Sequence, residues 1–326
     1  MIDFASAVDA ALEFPVAPSF TRIGFETRRR LFDWRELDEY ALDGRVVLIT
    51  GATSGLGLAA ARQLAVDGAS VVVLGRNPSK TANVVAALRD ATPRSDISST
   101  IVDMSDLESV RVAAAEILAS HERVDVLMHN AASLTHHRTE TAAGTETTVA
   151  GQVVGPFLLT CLLLDRLRAS APSRVITMAS GGMYTADLGS PSPEMDAVTY
   201  NGTRQYARAK RAQVTLNEMW AARFPDRSVV FHSVHPGWAD TPGVAEALPT
   251  FRRVVGPLLR DPAAGADTMV WLAADDGEPL STSGKFWLDR RVRPVHRLRN
   301  TARSDTPERR RQLWDWVQAK AGCVPV

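Results

Sequence analysis

"VVLITGATSGLG", residues 46–57, sets an almost wholly apolar, β-branched run directly before a turn with glycines at 51, 55 and 57, and the helical stretch "LGLAAARQLAVDG" follows. A strand buried on both faces reads as such an unbroken run rather than as an alternation. Five more follow: "SVVVL" (70–74), "SSTIV" (98–102), "VDVLM" (124–128), "RVITM" (174–178) and "SVVFHSV" (228–234), with "KFWL" (285–288) as a seventh. Longer helical stretches separate them. The pattern predicts an α/β fold: a Rossmann-like doubly wound parallel sheet of about seven strands with helices on both faces.

Between a strand and a helix, the glycine turn has a physical task. Gly51 allows the tight turn, Gly55 lets backbone approach a pyrophosphate, and Gly57 lets helix and strand pack closely, with the helix N-terminus facing the anion. Gly51, Thr53, Ser54, Gly55, Leu56 and Gly57 are therefore the expected dinucleotide cradle. At the end of the second strand, "VVVLGRNPSK", Arg76 and Asn77 stand where NAD-binding domains usually carry an acidic residue for the ribose hydroxyls. A guanidinium there suits a 2′-phosphate, so NADP(H) is expected in preference to NAD(H).

Length and composition bound the rest. At 326 residues the chain fits one large domain, 45–290, with a helical N-terminal extension, 1–44, and a basic C-terminal extension, 291–326. Its 37 basic and 37 acidic residues cancel, so no overall field draws it to nucleic acid. Cys161 and Cys323 are the only cysteines, which argues against a disulfide framework and for a reducing compartment, and no Cys/His spacing suggests a metal site. The start, "MIDFASAVDAALEFP", lacks the pattern of a secretory signal, and the longest apolar stretch, "VVGPFLLTCLLL", is too short to cross a bilayer. A soluble, cytoplasmic protein is expected. In "FTRIGFETRRRLFDWRELDEY", Phe20, Ile23, Leu31 and Trp34 fall roughly on one helical face, with Arg28 to Arg30 elsewhere. This helix is expected to pack on the core or on a second subunit, with a membrane surface as the minor alternative. The arginine-rich 289–311 reads as a solvated or partner-facing extension, and "RRQLWDWVQAK" as a helix folding back.

"YARAK", 206–210, puts Tyr206 and Lys210 on one helical face, where the ammonium favours ionisation of the phenol. Four motifs in order, "TGATSGLG" (50–57), "HNAA" (129–132), "YARAK" and "HPGWADTP" (235–242), resemble those of short-chain dehydrogenases/reductases over about residues 43–290. The likeness is greatest to the retinol-dehydrogenase-like branch and its orphan member 12 dehydrogenase/reductase relatives.

The resemblance implies hydride transfer between a nicotinamide and a carbonyl or alcohol, with Tyr206 as acid/base, Lys210 tuning it and holding the nicotinamide ribose, and Ser180 orienting the substrate oxygen. It places Asp103 and Met104 at the adenine, Asn130 and Ala131 beside the nicotinamide ribose, and Pro236, Gly237, Trp238 and Thr241 over the nicotinamide and pyrophosphate. It puts Gln152 where a proton-relay asparagine normally stands, and that departure motivates a rival reading: a dinucleotide-binding sensor or scaffold with weak turnover. The insertion after Ser180 and the apolar stretch 243–260 are expected to shape a pocket for a small lipophilic substrate. Met183, Tyr184, His232 and His129 are expected to be packing residues, and homo-oligomers are common among such proteins.

Overall fold

The computed structural model describes residues 4–189 and 191–324. Strands β1 (Val46–Thr50), β2 (Ser70–Gly75), β3 (Ile97–Ile101), β4 (Val126–His129), β5 (Ser173–Met178), β6 (Val229–Val234), β7 (Lys285–Leu288) and β8 (Arg291–Val292) form one sheet in the order β3-β2-β1-β4-β5-β6-β7-β8. All pairings are parallel except β7 with β8. The seven expected strands are present within a residue or two, and the eighth is a two-residue antiparallel addition that no apolar run announces.

β1 pairs with β2 on one side, Val46 opposite Ser70, and with β4 on the other, Val47 opposite Val126. Strand order therefore reverses between β1 and β4, and the crevice beyond their carboxyl ends is where such folds take ligands. The sheet's two faces bury separate apolar layers. One is covered by the helices Leu107–Ser120, Gly155–Ala169, Gly202–Arg223 and Pro307–Ala321, and the other by Gly55–Val66 and Pro262–Ala274. The apolar stretch 153–164 belongs to a helical run, Thr147–Ala169, that is long and apolar enough to cross a membrane, but 78% of it is buried inside this protein.

The extensions depart from their expected character. On the helix Arg22–Leu31 the buried residues are Gly24, Phe25 and Arg28, while Ile23 is exposed. Arg28, expected off the apolar face, is fully buried, because each nitrogen of its guanidinium donates to an oxygen. Its Nε donates to Asp9 at 2.7 Å, Nη1 to Asp289 at 2.6 Å and Nη2 to Glu13 at 2.9 Å. Asp289 also accepts from Arg260 at 2.5 and 3.0 Å, and Arg293 donates to both oxygens of Asp9 at 2.8 Å. The tail is likewise not a solvated arm. Arg290 and Arg293 are buried, Arg290 clamps Asp267, and Arg310 bridges Asp305 and Glu218. Arg28, Arg290 and Arg293 read as surface residues in sequence because their carboxylate partners lie 15 or more residues away along the chain.

Candidate active site

The glycine turn lies at the carboxyl end of β1, as the switch point requires. Gly51 has φ +68° and a Cβ there would fall 2.8 Å from the Ala131 backbone after β4. Gly57 is equally confined, since a Cβ would lie 2.4 Å from Asn130 Nδ2 and 2.6 Å from Gly51 O. Asn130 ties the crevice together: its amide donates to Thr50 O and Gly51 O, and its N–H to Thr50 Oγ1. Ser54 precedes the helix Gly55–Val66 without capping it through its side chain, which leaves the amides of that first turn open to an acceptor from outside the helix. This cradle fits a dinucleotide phosphate. Gly57→Ala is expected to weaken NADPH binding at least about tenfold in a fluorescence titration, because that helix start cannot stay against Asn130.

The other expected cofactor residues lie on the loops that follow β2, β3 and β6. Thr53 packs beside Gly75 at the end of β2, and the exposed Arg76 follows at once. Asn77 uses its side-chain oxygen as a helix cap, accepting from Lys80 N at 2.9 Å, which fixes the side chain beside Arg76 with its NH2 group still able to donate. Asp103 Oδ1 accepts from both the amide and the hydroxyl of Ser105, and Met104 beside it is buried. Thr241 caps the short helix Pro242–Ala247, with its side chain 3.3 Å from a Cβ placed at Gly55, so the loop after β6 reaches the glycine turn. Within that loop Gly237 has φ +70°.

On the substrate side, β5 ends at Met178 and delivers Ser180, whose Oγ accepts from Gly182 N at 3.2 Å. The helix Gly202–Arg223, capped by Asn201, presents Tyr206 and Lys210 to the same place. Burial pushes the Tyr206 phenol up to about 12, while a hydrogen bond with Ser180 opposes the rise. Lys210 is buried, with Nζ 5.4 Å from the Tyr206 ring centre and donating to Met178 O at 2.7 Å. Burial pulls its ammonium down to about 7. Both groups are thus least stable in their charged forms when alone, and each charge would favour the other.

Gln152 occupies a π-turn, Ala150–Val154, a distortion common at functional sites. Its Nε2 donates to Ser133 O at 2.7 Å, whereas its buried Oε1 has no protein partner and borders a cavity of about 30 Å³ also lined by His129 and Gln213. The four residues read as packing do pack. His129 shares a hydrogen bond with Thr160, His232 is held between Pro279 O and the Trp287 indole, Tyr184 donates to Pro294 O, and Met183 is fully buried.

Sequence reasoning missed the N-terminal turn. Trp238 N donates to Phe20 O at 2.7 Å, and Arg260 holds the carbonyls of Ser19, Phe20 and Thr21. The Phe20 ring lies edge-on to His235, with centres 4.3 Å apart, and would meet a Cβ on Gly181, the residue after Ser180. Phe20 registers in sequence only as one apolar residue of a helix, with nothing to mark what it touches.

The family profile described as "short chain dehydrogenase" matches residues 45–250. Human "Dehydrogenase/reductase SDR family member 12" is 35% identical over 289 residues, spanning 89% of this chain and 90% of that protein. Human "Retinol dehydrogenase 12" is 33% identical over 279 residues, spanning 84% and 85%. Among solved structures, a short-chain dehydrogenase of Shigella flexneri in complex with NADP superposes with a TM-score of 0.62 at 24% identity, over 78% of this chain and 100% of that one.

Proposed function

This chain belongs to the short-chain dehydrogenase family, and from that premise we propose that it is an NADP(H)-dependent oxidoreductase acting on a carbonyl or alcohol of a lipophilic small molecule. The observation that carries the reading is the convergence of Ser180, Tyr206 and Lys210 beyond the ends of β5 and β6, beside the glycine crevice. When bound, the nicotinamide supplies or takes up the hydride. In reduction, Ser180 and Tyr206 hold the substrate oxygen, Tyr206 gives it the phenolic proton, and the Lys210 ammonium stabilises the phenolate left behind. In oxidation the same groups work in reverse.

NADP(H) is favoured because Arg76 stands exposed after β2 beside the turn, where it can meet a 2′-phosphate. A lipophilic substrate is favoured by the aromatic face of the loop after β6, where Trp238 meets Phe251 of the helix Pro249–Val255 at 5.2 Å, and by the apolar Val254 and Leu258 nearby in sequence.

NADPH oxidation across aliphatic, aromatic, retinoid and steroid carbonyls tests the reading, with turnover on at least one class as the expected result. Tight NADPH binding with no turnover on any class would move the sensor reading forward. For the cofactor, Arg76→Ala is expected to raise the Kd for NADPH about tenfold while NADH changes by less than about threefold. Equal losses for the two cofactors would remove Arg76 from phosphate recognition.

A further inference from the structure

The chain's only two cysteines lie far apart in sequence, Cys161 on the helix Gly155–Ala169 and Cys323 just beyond the helix Pro307–Ala321. In the fold the helices that carry them pack together, both side chains lie half-buried against the same apolar layer as free thiols, and Cys323 is near enough to act on the Cys161 thiol. The structure places this meeting firmly. Gly322, at φ 59°, ends the C-terminal helix in the left-handed region, and its N–H donates to Gln318 O at 2.9 Å, which turns the chain back toward the body. Arg111 holds Ala321 O at 2.8 Å. Leu313, Trp314, Val317 and Ala321 are buried, and the Trp314 ring meets Phe157 and Trp220, each at 5.1 Å. The thiols are therefore brought together by docked elements and not by a wandering tail.

We propose that Cys161 and Cys323 form a reversible disulfide that staples the C-terminal helix to the helix Gly155–Ala169 when the protein meets a peroxide. Cys323 lies between the exposed Gly322 and Val324, where a peroxide reaches it first, whereas Cys161 sits within its helix, where burial pushes its thiol well above the ordinary range. The Cys323 thiolate attacks one peroxide oxygen, the O–O bond breaks, and a sulfenic acid and one water result. The Cys161 sulfur then attacks the sulfenic sulfur, the S–S bond forms, and the departing hydroxide leaves with the Cys161 proton as a second water. Two thiols are oxidised and one peroxide is reduced. The link closes a long loop, so it constrains the unfolded chain strongly.

The test is peroxide treatment of the full-length protein at micromolar concentration, followed by non-reducing digestion and mass spectrometry, with a melting curve of the same sample. Expected are a single intramolecular peptide pair joining Cys161 to Cys323, its release by dithiothreitol, and a Tm higher by about 5 °C. Cys323→Ser, at a surface end, should abolish both the linked peptide and the Tm rise, and Cys161→Ala should do the same. Oxidation to sulfinic or sulfonic acid in place of the linked pair, a link only between two chains, or a link that leaves Tm unchanged or lowers it would each overturn the proposal.

Discussion

Tyr206→Phe should lower kcat/KM for any carbonyl the wild type reduces by about 10²–10⁴-fold, with NADPH affinity within about twofold. The phenol is an acidic hydroxyl that a neighbouring cation can assist, since Lys210 Nζ lies 5.4 Å from the ring centre, and Ser180 is near enough to oppose the rise that burial causes. With burial holding the phenol near 12, loss of its proton near neutrality depends on charge supplied by Lys210, and phenylalanine removes the proton itself. Ring volume and packing are kept, so a fall in turnover with unchanged melting and cofactor binding isolates the chemistry. A variant within about tenfold of wild type would take Tyr206 out of proton transfer.

The second large effect concerns stability. Asp289→Ala should cost about 3–5 kcal/mol in urea unfolding, the range for removing one partner of a buried ion pair. Asp289 is fully buried, and Arg28 and Arg260, themselves buried, both donate to its carboxylate; alanine leaves the Arg260 guanidinium without its carboxylate partner and takes one of three from Arg28. Position 289 also has φ 55°, which aspartate tolerates better than alanine. Asp289→Asn keeps that tolerance and removes only the charge, so it should fall between wild type and alanine. If Asp289→Ala unfolds within about 1 kcal/mol of wild type, the network is not holding the N-terminal segment to the body.

The same network fixes a pH dependence. Burial pushes the Asp9 carboxyl up, but hydrogen bonds from Arg293 and Arg28 outweigh it and bring the group down to about 2, below its ordinary 3.8. Because the folded value is depressed, the stabilisation is present above pH 3.8 and is lost as pH falls toward 2. Asp289 shifts in the same direction, with Arg260 and Arg28 outweighing burial. Urea midpoints measured from pH 6 to pH 2.5 should fall across that window, and the fall should be shallower in Asp9→Asn. An identical slope in the variant would mean that Asp9 carries none of it.

The sheet was legible because each parallel strand is buried on both faces and so appears as a continuous apolar run; the run VVLIT followed by glycine turns at 51, 55 and 57 was enough to place the crevice. Ser180, Tyr206 and Lys210 were legible through spacing and motif order, which local helix geometry preserves. The antiparallel β8 was not, since two residues, Arg291 and Val292, carry no periodicity. Nor was the burial of Arg28, Arg290 and Arg293, because an arginine's environment depends on whether a carboxylate arrives from elsewhere in the chain, and Asp9, Asp267 and Asp289 arrive only on folding. The amino-acid sequence by itself determined the doubly wound sheet, the glycine turn at its switch point and which residue types gather around Ser180, all of which depend on short-range pattern. Tertiary structure alone decided that Phe20 backs the Ser180 turn, that Gln152 directs one end of its amide to Ser133, and that Cys161 meets Cys323, because long-range contacts are set by how whole layers pack and leave no period in the chain.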